Sequence, residues 1–219
     1  MRKLSSIKQT ILVLVSFSVL NSCAQNENRI TTKVKMNNTE NIEVATLASG
    51  CFWCGEAVFQ RLKGVEKIES GYSGGKIANP TYREVCSGLT EHAECFQITF
   101  NANEISFTEL LQVFFKTHDP TTLNRQGNDV GTQYRSAIFY HNNVQKEIAE
   151  DVIKQLDASG AFNSKIVTEV VPFTKFYKAE DYHQNYFNDN KNSNPYCTFV
   201  IVPKLEKFEK VFKDKLKNP

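Results

Sequence analysis

Ile42-Glu43-Val44-Ala45-Thr46-Leu47 runs into Ala48-Ser49-Gly50-Cys51-Phe52-Trp53-Cys54-Gly55-Glu56, and the change of period between the two halves decides the fold. Alternation in the first half predicts a strand, and residues 52–62 predict a helix that opens at Cys51. Working outward, 65–72 reads as a second strand and 94–100 alternates again. Ser106-Phe107-Thr108-Glu109 is a capping-box start for a helix burying Leu110, Leu111, Phe114 and Phe115. A strand over 135–140, an amphipathic helix marked by Val144, Ile148, Val152, Ile153 and Leu156, and a strand over 165–171 complete the order β-α-β-β-α-β-α-β. Its opening β-α-β-β-α-β places helices on one face of a largely antiparallel sheet. The expected fold class is therefore α+β, a two-layer ferredoxin-like sandwich in a single domain. An irregular C-terminal extension follows: an aromatic segment over 182–187, a strand over 196–202, and a last helix burying Leu205, Phe208, Val211, Phe212 and Leu216. The loop 117–134 is too long and too polar to be justified by packing, which marks it as a carrier of function.

The chain has 219 residues, 41% of them apolar, enough for one well-packed domain with segments left over at its ends. Twenty-six basic and 24 acidic residues leave a net charge of +2, and no basic run interleaved with aromatics predicts a nucleic-acid partner. Arg2, Lys3 and Lys8 precede an apolar run over 11–20 that is too short to span a bilayer comfortably, so 1–22 reads as a signal peptide. It ends in Leu20-Asn21-Ser22-Cys23, which resembles the bacterial lipobox; Cys23 is the expected lipidation site, and the cell envelope the expected location. Residues 23–40 are polar and rich in Asn and Thr, a flexible tether, and 41–219 is the globular domain. Setting Cys23 aside leaves five of six cysteines, an odd number that points to thiol chemistry rather than to a disulfide framework.

Cys51 stands where unpaired amides and the helix dipole favour a thiolate, which makes it a candidate nucleophile. Cys54 lies one turn on, within reach for disulfide formation if Cys51 sits at the cap. Two other chemistries share these residues. Cys51-x-x-Cys54 with His92-x-x-Cys95 could form a structural zinc or binding module, though Phe52 and Trp53 are bulky for a metal knuckle and Cys95 alternates away from Glu94. A thioredoxin-like disulfide exchanger also uses Cys-x-x-Cys at a helix start, but the order of elements does not alternate in that manner. Glu94 falls in phase with Phe96, Ile98 and Phe100, so its carboxyl is expected to be desolvated and to hold a proton near neutral pH, as a general acid does. Ser70-Gly71-Tyr72-Ser73-Gly74-Gly75-Lys76 lacks the glycine and hydroxyl that a phosphate loop needs, so no nucleotide site is read there.

Taken in order, Gly50-Cys51-Phe52-Trp53, Tyr82-x-x-Val85-Cys86-x-Gly88-x-Thr90-x-His92-Ala93-Glu94 and His118-Asp119-Pro120-Thr121 resemble the peptide methionine sulfoxide reductase A family. The resemblance continues through Asn124-x-Gln126-Gly127-x-Asp129-x-Gly131-x-Gln133-Tyr134-Arg135-Ser136 and Phe176-x-x-Ala179-Glu180-x-Tyr182-His183-Gln184. It implies that 41–219 is a catalytic domain reducing the S epimer of methionine sulfoxide, free or in oxidised proteins. Cys51 would attack the sulfoxide sulfur, Glu94 protonate the oxygen, Tyr82 and Tyr134 hydrogen-bond that oxygen, and Asp129 hold the polar groups of the site. Phe52 and Trp53 would form the pocket for the methyl group. It further implies a monomer with no metal or bound cofactor, regenerated by a thioredoxin-like reductant. Many relatives carry glycine in place of Cys54 and keep resolving cysteines in a glycine-rich tail that this chain lacks. Cys54 or Cys197 is thus the resolving thiol, with Cys54 favoured by proximity. Cys86 and Cys95 are expected to be structural.

Overall fold

The computed structural model describes residues 41–217, so the expected signal peptide, Cys23 and the whole of the tether lie outside the described residues. In chain order the elements are β1 (Ile42–Ser49), α1 (Phe52–Phe59), β2 (Val65–Ser73), α2 (Tyr82–Cys86), β3 (Ala93–Asn101) and α3 (Phe107–Thr117). A two-residue ribbon, β4 (Arg125–Gln126) with β5 (Asp129–Val130), and a 3-10 turn at Thr132–Tyr134 lead into β6 (Ser136–Tyr140) and α4 (Asn143–Ser159). Then come β7 (Glu169–Pro172), β8 (Phe176–Lys178), α5 (Tyr186–Asn190), a π-helical turn at Cys197–Ile201 and α6 (Val202–Val211).

The six-stranded sheet has the order β7-β6-β1-β3-β2-β8. β1 and β2 both run antiparallel to β3, and β6 antiparallel to β1, which is the ferredoxin-like arrangement expected from the order of elements. β7 adds a parallel strand to β6 through the α4 crossover, and β8 pairs with β2 at the other edge. Phe96, Ile98 and Phe100 of β3 meet Val58 and Phe59 of α1 and Leu110, Leu111 and Phe114 of α3 in one cluster. Each such side chain contributes about 1.5–3 kcal/mol by leaving water. α1 lies so close to the sheet that a Cβ on Gly55 would overlap the Phe96 ring. α3 is fixed at its start by the predicted capping box, with Glu109 N–H donating to Ser106 Oγ at 3.2 Å and Ser106 N–H to Glu109 Oε2 at 2.9 Å.

Several expectations are corrected. Residues 196–202 form a π-helical turn and the start of α6, because Cys197, Ile201, Leu205 and Phe208 bury one helical stripe against the core and override the strand-like run of side chains. The predicted strand over 165–171 is shorter and later, at Glu169–Pro172. α1 ends at Phe59 rather than at 62, and Val211 is 49% exposed rather than buried. Among the described residues no helix is long and apolar enough to cross a membrane.

Candidate active site

Cys51 is the residue before α1, at the C-terminal end of β1, with φ −52° and ψ 121°. It is 7% exposed. Gly50 takes φ +86°, and a Cβ there would overlap Gln126, so glycine lets the β4–β5 ribbon close over the cysteine. Gln126 is pinned in turn: its Oε1 accepts from Asp119 N–H at 3.1 Å and its Nε2 donates to the Asp119 carbonyl at 3.0 Å. His118 anchors the loop. Burial pulls its imidazole down to about 4, so it is neutral, with Nδ1 bonded to the Phe114 carbonyl at 2.6 Å and Nε2 to Ser136 Oγ at 2.8 Å.

Glu94 approaches from β3, one register pair from the strand's start, on the face that carries Phe96 and Ile98. It is 1% exposed, and its Oε2 accepts the Phe52 N–H at 3.1 Å, tying the carboxyl to the first turn of α1. Burial pushes the carboxyl up to about 8 against that hydrogen bond, with Asp129 and Cys54 adding to the rise. Its Oε1 is buried with no hydrogen-bond partner among the described residues, the position for a proton to be held. The carboxyl is therefore desolvated, as its phase with Phe96 and Ile98 predicts.

Cys54 follows Cys51 by one turn, its N–H donating to the Cys51 carbonyl at 3.1 Å. The neighbouring Cys51 thiol draws Cys54 down, whereas burial, first, and then Cys54 push Cys51 well up. Burial of Cys51 thus opposes the effect of the dipole of the eight-residue α1 on its thiol.

Aromatic rings wall the site. Phe52 is flanked by Tyr72 at 5.9 Å, Tyr82 at 6.4 Å and His183 at 5.1 Å between ring centroids. Trp53 stacks on Tyr186 at 3.7 Å and donates Nε1–H to His183 Nδ1 at 3.1 Å. Tyr82 and Tyr134 are pushed up by burial first and then by the nearby Glu94, so both remain phenols able to donate. Arg135 steadies the turn that carries Tyr134, donating to the Thr132 carbonyl at 3.0 Å and to Glu169 at 3.1 Å. Asp129 accepts from Tyr196 OH at 2.7 Å, and that phenol lies 3.9 Å from Cys54 Sγ.

The structure thus brings Cys51, Cys54, Phe52, Trp53, Tyr82, Glu94, Asp129 and Tyr134 to one site. Cys197 is wholly buried in the same apolar cluster as Cys51 and Cys54. Cys95 is on the other face of the sheet with Ala48, Ala93 and Phe139, and the His92 ring accepts from Gly75 N–H at 3.0 Å, so the four zinc candidates do not converge. Cys86, expected to be structural, is exposed. A cleft of about 610 Å³ between α3, α4 and α6 contains none of these residues. Sequence reasoning missed His183, Tyr196 and the two carboxylates Glu56 and Glu180. Glu56 carries a signal: with Phe52 and Phe59 it shares the buried stripe of α1, where a charge needs partners, here the amides of Asn185 at 2.8 Å and Tyr186 at 3.3 Å.

Paired thiols beside a protonated carboxyl and two phenol donors, on a ferredoxin-like frame, define a thiol-dependent reductase of a polar, oxygen-bearing group. The family model described as peptide methionine sulfoxide reductase matches residues 43–216, and the chain belongs to that family. It is 56% identical over 176 residues to the peptide methionine sulfoxide reductase MsrA of Saccharolobus solfataricus, covering 80% of this chain and 98% of the relative. It is 58% identical over 174 residues to that of Sulfolobus acidocaldarius, with coverage of 80% and 97%. Among solved structures, Mxr1 from Saccharomyces cerevisiae in reduced form superposes with a TM-score of 0.66 at 33% identity, over 74% of this chain and 93% of that one. The expected family and α+β fold are borne out, and with them an enzyme of thiol-dependent methionine sulfoxide reduction.

Proposed function

We propose that Cys51 attacks the sulfur of a methionine S-sulfoxide whose methyl group lies against Phe52 and Trp53. Cys54, whose thiol its surroundings draw down, takes the Cys51 proton as the attack begins. Glu94 delivers its proton to the sulfoxide oxygen while Tyr82 and Tyr134 donate hydrogen bonds to it, stabilising the charge that grows there. Asp129, tied to Tyr196, holds the polar side of the site. Methionine leaves, and Cys51 keeps the oxygen as a sulfenic acid. Cys54 then attacks the Cys51 sulfur, expelling the oxygen as water and forming the Cys51–Cys54 disulfide; Cys197 is the other candidate for this step. A thioredoxin-like dithiol reduces the disulfide and is itself oxidised.

The observation that carries this reading is the bond from Phe52 N–H to Glu94, which sets a protonated carboxyl beside the nucleophile. The test is mass spectrometry of Cys51 after one turnover with the S or the R epimer, in wild type and in Cys54→Ser and Cys197→Ser. Oxidation of Cys51 by the S epimer alone is expected, with sulfenic acid accumulating in Cys54→Ser. Turnover of the R epimer, or a disulfide that forms in Cys54→Ser and not in Cys197→Ser, would overturn the corresponding assignment.

The sequence of the first residues supports a place for this chemistry. The basic start, the short apolar run and Leu20-Asn21-Ser22-Cys23 favour a chain anchored to a bacterial membrane by lipid on Cys23, acting on oxidised proteins of the envelope. The wild-type chain is expected to need detergent for release, and Cys23→Ser to be soluble or uncleaved. A soluble wild-type chain retaining residues 1–22 would sink the anchoring.

A further inference from the structure

Glu180 stands just beyond β8, outside the reacting groups, and is bonded to two tyrosines that flank Phe52. Its Oε1 accepts the Tyr82 N–H at 2.8 Å and its Oε2 the Tyr72 O–H at 2.9 Å. Burial pushes the carboxyl up, but the bonds from Tyr82 N–H, its own amide and Tyr72 bring it below the ordinary carboxylate range, so it is ionised and accepts at both oxygens.

α2 needs such a tie. It has five residues, of which Val85 is the buried one, and its Thr81–Glu84 capping box leaves the first helical amide, that of Tyr82, without a partner inside the helix. Packing alone gives a helix this short little to define its position. Tyr72, by contrast, is wholly buried in β2 between β3 and β8. Glu180 is itself fixed to β2: Ala179 N–H donates to the Ser70 carbonyl at 2.9 Å, and Gln184 Nε2 bridges the Ser70 and Ala179 carbonyls at 3.0 and 2.9 Å. The chain of contacts therefore runs from the rigid sheet, through one carboxylate, to the residue carrying the phenol.

We propose that Glu180 is a positioning residue for Tyr82, joining the Tyr82 amide to the Tyr72 phenol so that the Tyr82 hydroxyl is held toward Glu94 and the reacting oxygen. The proposal rests on the reading of Tyr82 as a donor to that oxygen. Glu180 touches neither substrate nor thiol, so its loss acts on the chemical step through Tyr82 and leaves Cys51 reactive.

The experiment is a double-mutant cycle with Tyr82→Phe, Glu180→Ala and the pair, reading kcat and KM for a methionine S-sulfoxide peptide and the rate of Cys51 alkylation. Glu180→Ala is expected to lower kcat about 10-fold or more, as loss of a group that fixes geometry does, with KM within about twofold and alkylation unchanged. In the Glu180→Ala background, Tyr82→Phe is expected to cost less than about twofold, against about 10-fold in wild type. If Tyr82→Phe is costly but the two factors multiply, Glu180 does not act through Tyr82 and the proposal fails alone. If Tyr82→Phe is silent in wild type, the donor reading and the proposal fail together. Should Glu180→Ala not fold, the same cycle is run with Glu180→Gln, whose amide must turn its NH₂ toward one of the two donors. A several-fold, non-multiplicative loss is expected there, and wild-type kcat would overturn the proposal.

Discussion

Cys51, Cys54 and Glu94 are carried by β1, α1 and β3, whose positions follow from strand pairing and a shared apolar cluster. The ring wall of Tyr82, Trp53 and Tyr186 is held differently, by single side chains that reach backbone amides or rings: Glu180 to Tyr82, Glu56 to Asn185 and Tyr186, His183 to Trp53. Backbone ladders are redundant, so losing one bond shifts little. A wall held by a few carboxylates has no such redundancy. The difference implies that changes in the frame register in stability or in the chemical step itself, whereas changes in the wall register by what the ring does: in KM where it packs against the substrate, as Trp53 with Tyr186 does, and in kcat where it carries a donor phenol, as Tyr82 does.

The sharpest break is at the nucleophile. Cys51→Ser is expected to abolish turnover of methionine S-sulfoxide while the far-ultraviolet dichroism and melting curve stay close to wild type, because serine fills nearly the same buried space. Measurable turnover would remove Cys51 from the role.

Glu94→Gln comes next, with a loss of about 10²–10⁴-fold in the chemical step. In wild type the rate should fall as pH rises through about 8, where the carboxyl gives up its proton, and that limb should vanish in the variant. The same group has a stability signature. Its folded value is raised, so between about 4.3, the ordinary glutamate value, and about 8 the folded state binds more protons than the unfolded one. Glu94 therefore makes the fold less stable as pH rises across that window, and urea midpoints of wild type and variant should diverge in that direction. Parallel midpoints would contradict a buried, protonated Glu94.

For the wall, Glu56→Ala leaves the Asn185 and Tyr186 amides without their acceptor and loosens the ring stacked on Trp53. KM is expected to rise roughly 3- to 10-fold with kcat nearly kept, and stability to fall by about 1–3 kcal/mol for the orphaned amides. An unchanged KM with a collapsed kcat would erase the distinction between frame and wall.

The same distinction governs what could be read in the sequence. The frame was legible because its signals are local and periodic: alternation in β1 and β3, the capping box of α3, and Glu94 in phase with Phe96 and Ile98. The thiol pair was legible from its spacing, but the burial that pushes Cys51 up was not, since it depends on how distant segments pack around the helix start. Tyr82, Trp53 and Tyr134 entered through family resemblance, because periodicity cannot separate a site phenol from an ordinary half-buried one. The contacts that hold the wall span 129 residues for Glu56 with Asn185 and 98 for Glu180 with Tyr82, distances over which no local pattern speaks. The run Tyr196 to Val202 misled because branched and aromatic side chains favour strands. Its continuation of the Leu205 and Phe208 stripe at helical spacing was the available clue.

The smallest effect on activity is expected where a frame element is weakened far from the thiols. Ser106 opens α3 with a reciprocal cap, accepting from Glu109 N–H while Glu109 accepts from its amide and hydroxyl. Glu109 is pulled down to about 2, first by Lys215 and then by the Ser106 amide. Its folded value is depressed, so its stabilising effect is present above the ordinary glutamate value and is lost as pH falls toward about 2. Ser106→Ala removes the hydroxyl from both bonds and should cost about 0.5–2 kcal/mol by urea unfolding at neutral pH, with a smaller penalty in acid as Glu109 takes up its proton. α3 meets the site only through the packed cluster and through His118 at its end, so kcat and KM should stay within twofold of wild type. A variant that lost stability and activity in equal measure would mean that the frame, too, transmits small displacements to the reacting groups, and the contrast with the wall would not hold.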